Sequence, residues 1–370
     1  MAILPFAGSS FFGYANDGAF RVNGNQLIPM YETDISVKKE VLSIRRINSR
    51  QAEVDVYYEF FNPKDSKELE VGFEAFSPSG DVDAQPVNGG QPYITRFSVS
   101  MNGEPVPYKV AIVSDSLYYV QGKFKTITIA EAMKEGEDND FAGFFYVYHF
   151  RAPFKPGTNI IHHTYTVDLS SSVEENYSFK YILTAAARWA NRQIDDFTLK
   201  IDMGEFQDLS MEKTFFKTAS GWSISGTGKQ VERKTKYPKD EKDMLEFFVQ
   251  NGFILFQQKN FKPTGELYMH AYNSYDFSGK SSKEKDGFDY SSDHLPFSIE
   301  DQDQISQPVN ELSKKVLKNL PFARRGYVFN TPELKTYYLQ QIWYVPDPNY
   351  IPDLRQISQR EQEWLRKLQN

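Results

Sequence analysis

The chain has 370 residues, no cysteine, and 42 Lys plus Arg against 49 Asp plus Glu, a formal charge of -7. Without cysteine, disulfides, thiolate metal centres and cysteine catalysis are excluded, and the mild acidity argues against a nucleic-acid-binding protein. Aromatics at 15% of residues supply enough apolar bulk to exclude wholesale disorder, and the length points to two or three compact units.

Residues 1–15 are uncharged from Ala2 onward and mostly apolar or small. Gly13 and Ala15 stand three and one before Asn16, the shape of the end of a secretory signal, although no positive n-region precedes it. The expectation is export, with a mature chain beginning at Asn16. No apolar run reaches the roughly 18 residues needed to span a bilayer.

From residue 16 to 273 the pattern is β. Val54, Val56, Tyr58 and Phe60 alternate with Glu53, Asp55, Tyr57 and Glu59, the two-residue period of a half-buried antiparallel strand. Asn102-Gly103 marks a tight hairpin. Thr128 and Glu131 form a capping box that predicts a helix over Ile129 to Glu135. Strands are expected at Phe144 to Arg151 and, after Pro153, Pro156 and Gly157, from Asn159 back to Leu169. Phe179 to Thr184 and Phe197 to Asp202 are expected to pair, and Gly226-Thr227-Gly228 is expected to turn a second hairpin. Phe253 to Gln257 and Glu266 to Tyr272 close the region, which is expected to form one or two antiparallel β-sandwiches.

Residues 274–308 are rich in Ser, Asp and Glu with few aliphatics, and are expected to be a surface linker. Residues 309–370 read as a small helical module. Val309, Leu312, Val316, Leu317 and Leu320 share a helical face. Thr331-Pro332 opens a second helix and Ser358 with Glu361 caps a third. This stretch carries +4 and the remainder -11. The fold expected is therefore mainly β with a C-terminal α domain.

The C-terminal stretch resembles the YARHG domain. The motif reads Phe322-Ala323-Arg324-Arg325-Gly326, with Phe for the family's Tyr and Arg325 where the family has His. Asn319-Leu320, Phe329, Pro332-Glu333-Leu334, Tyr337-Tyr338, Trp343-Tyr344 and Pro346 follow the family's order. The resemblance implies an exported bacterial protein without an established activity. The β region is similar to a periplasmic family of unknown function. That similarity rests on Ala15-Asn16-Asp17-Gly18, Gly24 to Pro29, Asp34-Ile35-Ser36 and Glu40 to Ile44. It continues in Phe154, Pro156 and Gly157 before His163 and Tyr165, in Tyr181 to Trp189, and in Asn260, Phe261 and Pro263. It implies an envelope location.

Catalytic signatures fail one by one. Gly226-Thr227-Gly228-Lys229 lacks the upstream Gly and the Ser or Thr of a phosphate loop. Gly221-Trp222-Ser223-Ile224-Ser225 lacks the second Gly of a nucleophile elbow. Adjacent His162 and His163 point to opposite faces of a strand and cannot share a metal, and His163 is expected to be a buried, hydrogen-bonded core residue. His149, His270 and His294 lack ligand spacing. Glu137 to Asp140 lacks the Gly and alternation of a calcium loop, and the aromatics are expected to fill cores rather than form a sugar platform. No catalytic residue, metal site or cofactor is assigned. Candidate binding residues are Phe322, Arg324, Arg325, Trp343 and Tyr344, since paired arginines suit carboxylate or phosphate. The competing expectation is that an arginine braces the fold, bonded to carbonyls or stacked on Trp343 or Tyr344. The function expected is a non-catalytic, periplasmic or extracellular protein that binds or scaffolds an envelope polymer such as peptidoglycan, or a surface protein. No nucleic acid or membrane span is involved. The alternative is a carboxylate-dependent hydrolase of envelope polymers.

Overall fold

The computed structural model describes residues 23–368 except 26, 31–32, 79–81, 84, 115–117, 138–143, 173–174, 234–242, 273–286 and 300–306. The leader expected at residues 1–15 lies outside the described residues, as does most of the acidic run at 137–140. The strands are β1 (Asn23–Asn25), β2 (Leu27–Pro29), β3 (Ser36–Arg46), β4 (Gln51–Asn62), β5 (Lys67–Phe76) and β6 (Ile94–Met101). Next come β7 (Glu104–Pro105), β8 (Lys109–Val113), β9 (Tyr119–Val120), β10 (Lys123–Phe124), β11 (Phe145–Phe154) and β12 (Gly157–Asp168). The last are β13 (Glu175–Ile182), β14 (Ile194–Asp202), β15 (Gln207–Glu212), β16 (Trp222–Arg233), β17 (Met244–Phe261) and β18 (Leu267–Tyr272). Helix α1 (Ile129–Glu137) interrupts them, and α2 (Glu311–Ala323), α3 (Pro332–Leu339) and α4 (Gln359–Lys367) follow. The chain is mainly β with its other helices at the C-terminal end, as the patterning predicts.

The large sheet runs β1-β13-β18-β15-β17-β14-β3-β4-β12-β6-β7, with β16 beside β17, and a four-stranded sheet runs β2-β5-β11-β8. The pairings are antiparallel except β1 with β13 and β3 with β14. Two-residue alternation drives the layering. On β4, Ala52, Val54, Val56, Tyr58 and Phe60 are all buried while their neighbours are partly exposed. Phe73 on β5 packs against Phe97, His163 and Tyr165 of the large sheet at ring distances of 5.5, 5.8 and 5.0 Å, which closes the sandwich.

Local signals hold where the chain settles its own geometry. Asn102 and Gly103 take φ of 52° and 88° between β6 and β7, the paired positive values of a tight hairpin. Thr128 and Glu131 bond reciprocally at the start of α1, the Thr128 N–H donating to the Glu131 carboxylate at 2.7 Å. Residues of the β-region motif converge as well. Trp189 Nε1 donates to the Leu27 carbonyl at 2.9 Å, the Leu27 N–H donates to Tyr58 Oη at 3.3 Å, and Asn191 bonds both the N–H and C=O of Val37.

Two expectations are corrected and a third gains detail. Phe179 to Thr184 and Phe197 to Asp202 do not pair: β13 lies against β18, and β14 lies between β3 and β17. A 3-10 turn at Thr184–Arg188, followed by buried Trp189, carries the chain to another part of the sheet. Asn159 to Leu169 does run back after Gly157, at φ 85°, but β12 joins the large sheet while β11 stays in the small one. Gly226-Thr227-Gly228 is not a hairpin turn. It is a bulge inside continuous β16, where Gly226 lies opposite Gly252 on β17. A Cβ on either glycine would strike the backbone of the other strand, so the pair permits a close approach. Beside β16, β17 pairs β15 through its first half and β14 through its second.

The core also corrects one detail at His163. It is fully buried, as expected, but neither ring nitrogen has a hydrogen-bond partner among the described residues. Tyr58, Phe73, Phe97 and Tyr165 surround it at 5.8, 5.8, 6.0 and 6.2 Å. Burial, helped by adjacent His162, pulls its pKa down to about 3. The folded protein therefore binds this proton more weakly than the unfolded chain. The stability His163 provides is complete above about pH 6.5 and is lost as pH falls toward 3. His163→Phe, which keeps a ring in the same stack, is expected to retain stability at neutral pH. It should also reduce the loss on acidification by roughly 1 kcal/mol per pH unit. Urea titrations at about pH 7 and about pH 4 check this, and an unchanged acid limb counts against it.

Candidate functional site

The motif lies at the end of α2. Asn310 caps this helix by accepting from the Ser313 N–H at 2.8 Å, and Val316, Leu317 and Leu320 bury its apolar face. Pro321 sits in the last turn and has no N–H to offer the Leu317 carbonyl. Trp364 on α4 supplies the missing donor, its Nε1 reaching that oxygen at 2.8 Å. The helix ends at Gly326, φ 88°, where the Gly326 N–H bonds the Ala323 carbonyl at 2.9 Å and the Tyr327 N–H bonds that of Phe322 at 3.0 Å. A Cβ at this position would meet the backbone of Val345 and Asp347, so glycine is required by conformation and by space.

Arg324 and Arg325 both turn inward and meet on Glu361, which is fully buried. Glu361 Oε1 accepts from Arg324 Nη1 at 3.1 Å and from Arg325 Nη1 at 2.6 Å, and Oε2 accepts from Arg325 Nη2 at 2.8 Å. Arg325 also donates to the carbonyls of Pro321 at 2.7 Å and Gln356 at 3.0 Å. The same carboxylate completes the capping box of α4, accepting from the Ser358 N–H at 2.8 Å while Ser358 Oγ accepts from the Glu361 N–H at 3.1 Å. One side chain thus neutralises the end of α2 and starts α4.

The ring over both cations comes from the β region. Phe206, held just before β15 at φ 53°, lies 4.3 Å from the Arg324 guanidinium carbon and 4.5 Å from that of Arg325. Phe297 also faces Arg324, at 5.7 Å. Phe206 and Phe248 share a core with Phe288, Leu295, Phe297, Ile299 and the three C-terminal helices. Apolar residues from 288–299 therefore help bury the module.

The remaining candidates lie in the same core. Trp343 is buried, packs on Phe297 at 5.7 Å, and donates from Nε1 to the Leu295 carbonyl at 2.8 Å. Tyr344 donates to the Tyr327 carbonyl at 2.6 Å, Tyr338 to that of Val316 at 2.6 Å, and Tyr337 to that of Asp293 at 3.1 Å. Burial raises all three phenols, so each stays protonated and remains a donor. Phe322 is half-buried. The structure thus joins Arg324 to Arg325 and Trp343 to Tyr344 as two groups. The rings found over the arginines are Phe206 and Phe297, in place of the expected Trp343 or Tyr344. Sequence reasoning saw Glu361 only as a cap and missed Phe206 altogether.

Comparison with known proteins now bears on both parts. Residues 300–370 match the model of the YARHG domain, and this segment is such a domain. No curated protein sequence matches the chain. Among solved structures, the chain is similar in fold to a Legionella pneumophila protein described as a candidate nutrient-binding protein. The TM-score is 0.52 at 16% identity, and the match covers 95% of this chain and 100% of that one. A Deinococcus radiodurans M1 zinc metallopeptidase aligns with a TM-score of 0.20 at 8% identity, over 62% of this chain and 44% of that one. Baculovirus P35 aligns at 0.27 and 11%, over 67% and 99%.

Glu361→Gln is expected to destabilise the module by about 3–5 kcal/mol, because it strands two buried guanidiniums. Trp343→Ala should cost about the same through lost packing. Trp364→Phe should cost about 1–3 kcal/mol for the carbonyl left unpaired. Urea unfolding followed by near-ultraviolet circular dichroism measures all three. Native stability in Glu361→Gln would show that water, and not this carboxylate, solvates the arginines.

Proposed function

We propose that this chain is an exported, non-catalytic binding protein of the bacterial cell envelope, directed at an envelope polymer such as peptidoglycan or at a surface protein. The observation that carries the proposal is the fold likeness spanning nearly all of this chain and the whole of one described as a candidate nutrient-binding protein. The YARHG domain at 300–370 supports it. So does the absence, among the described residues, of a helix long and apolar enough to cross a membrane.

In this proposal the region 16–273 forms the β scaffold, 1–15 is the removed leader, and 309–370 is the helical unit. The linker of 274–308 narrows, because residues 288–299 already contribute to the helical unit's core. Arg324, Arg325, Trp343 and Tyr344 act on binding by fixing the shape of the module, with Phe322 nearer its surface. Arg324 Nη1 and Arg325 donate to Glu361, and Arg325, Trp343 and Tyr344 donate to backbone carbonyls, which supports a positioning role over direct anion capture.

Two experiments test the proposal. The intact chain is incubated with envelope extract and with insoluble envelope polymer. Retention of the chain, or capture of a surface protein, is expected, with no soluble fragments released from the polymer. Failure to be retained by either overturns the binding proposal, and steady release of fragments would instead favour the hydrolase alternative. N-terminal sequencing of the protein from its host should begin at Asn16, whereas an intact Met1 form in the cytoplasm would overturn export.

A further inference from the structure

Large apolar side chains are unevenly exposed along the chain. Among the described residues before 309 only Phe61, Val87, Tyr108 and Val120 stand out, scattered along the sequence. The helical module adds seven, and Leu339, Ile342, Val345, Ile351 and Leu354 all fall within residues 339–354. Clustering of this kind marks an interaction surface more often than isolated exposure does.

Local geometry turns these side chains outward. Helical turns continue past α3, the Gln341 N–H bonding the Tyr338 carbonyl at 3.0 Å and the Tyr344 N–H that of Gln341 at 3.1 Å. Residues three apart then share a side: Tyr338, Gln341 and Tyr344 are buried, and Leu339, Ile342 and Val345 form an exposed row. After Pro346 and Pro348 the chain turns again, the Tyr350 N–H bonding the Asp347 carbonyl at 3.1 Å. It then presents Ile351, 80% exposed, and Leu354, 64% exposed. Both segments border the end of α2. The Asp347 N–H bonds the Gly326 carbonyl at 2.8 Å, and Arg325 Nη2 donates to the Gln356 carbonyl at 3.0 Å.

Charge separates this surface from the scaffold, since the module carries +4 and the remainder -11. Arg324 and Arg325 are committed to Glu361, Arg355 to Asp353 and Arg360 to Glu363. Lys314, Lys315, Lys318, Lys335, Arg366 and Lys367 then stand against Glu311, Glu333 and Asp347. Lys314, Lys318 and half-buried Phe322 follow at four-residue spacing along α2, so a basic stripe runs toward the helix end that the aliphatic rows border. The large rings that anchor protein interfaces are turned inward: Trp343, Tyr344 and Trp364 are buried and donate to carbonyls. Protruding aliphatics beside lysines fit a fluid apolar layer under anionic headgroups better than a rigid protein face.

We propose that the helical module docks peripherally on an anionic phospholipid bilayer, with Ile351, Leu354 and the row from Leu339 to Val345 entering the headgroup boundary and the α2 lysines facing the phosphates. The acidic scaffold is then held away from the surface by its own charge. This surface adds to the binding function proposed above and needs neither the polymer nor the protein partner.

Co-sedimentation of the full chain with lipid vesicles tests it. Vesicles of phosphatidylglycerol and phosphatidylethanolamine are expected to retain the chain, and vesicles of phosphatidylcholine alone should bind it about tenfold more weakly or worse. Raising the salt from about 0.1 M to about 0.5 M should also weaken retention. Ile351→Glu combined with Leu354→Glu should lower affinity about tenfold or more with the unfolding midpoint kept, because both side chains are exposed. Lys314→Glu combined with Lys318→Glu should lower it as well, most at low salt. No retention on the anionic vesicles, equal retention on both compositions, or native retention of the Ile351→Glu, Leu354→Glu variant would each overturn the proposal. A concentration-dependent dimer that these substitutions abolish, without vesicle binding, would assign the face to a second copy and overturn it too. Retention on envelope polymer without vesicle binding would sink this inference alone. Vesicle binding without polymer or protein capture would sink the envelope partner and leave the lipid surface standing.

Discussion

The C-terminal module depends on one buried carboxylate. Glu361 faces two guanidiniums and a backbone N–H, and without it the end of α2 and the start of α4 would both be unsatisfied. Burial of charge makes the arrangement unforgiving: an intact buried ion pair adds little over a well-packed apolar substitute, but a broken one is severely unfavourable. What the cluster provides is geometry. It ties the end of α2 to the start of α4, and the flat cationic surface it creates accepts the Phe206 ring from the β scaffold. A charge pattern inside the module thus determines how it sits on the sheet.

Much of the fold was legible because its causes are local. The alternation of β4, the tight turn at Asn102-Gly103, the cap of α1 and the box at Ser358 and Glu361 are each decided within a few residues. The apolar stripe of α2 was legible for Val316, Leu317 and Leu320, while Val309 lies outside the helix and half exposed. Pairing between distant strands was less so. Nothing near residues 179–202 says that β13 and β14 separate, and the parallel contact of β3 with β14 joins residues about 157 positions apart. The Gly226 to Gly228 run carries the composition of a turn but serves a close crossing of β16 and β17, which is visible only once Gly252 lies opposite.

The candidate site divides in the same way. Motif spacing marked Arg324, Arg325, Trp343 and Tyr344 as a set that matters, and the structure shows each committed to a partner. Their partners were hidden. Glu361 announced only its capping role, and Phe206 lies more than a hundred residues upstream in a segment with no motif.

The position of Glu361 also gives the module a direction in time. The arginines it neutralises precede it by 36 and 37 residues, so a ribosome delivers both cations well before their counter-charge. Until α4 emerges, Leu317 lacks its indole donor and the guanidiniums lack their counter-charge. A nascent chain halted before Glu361 would carry a finished β scaffold and an open, protease-sensitive tail. Closure of the module therefore waits on α4.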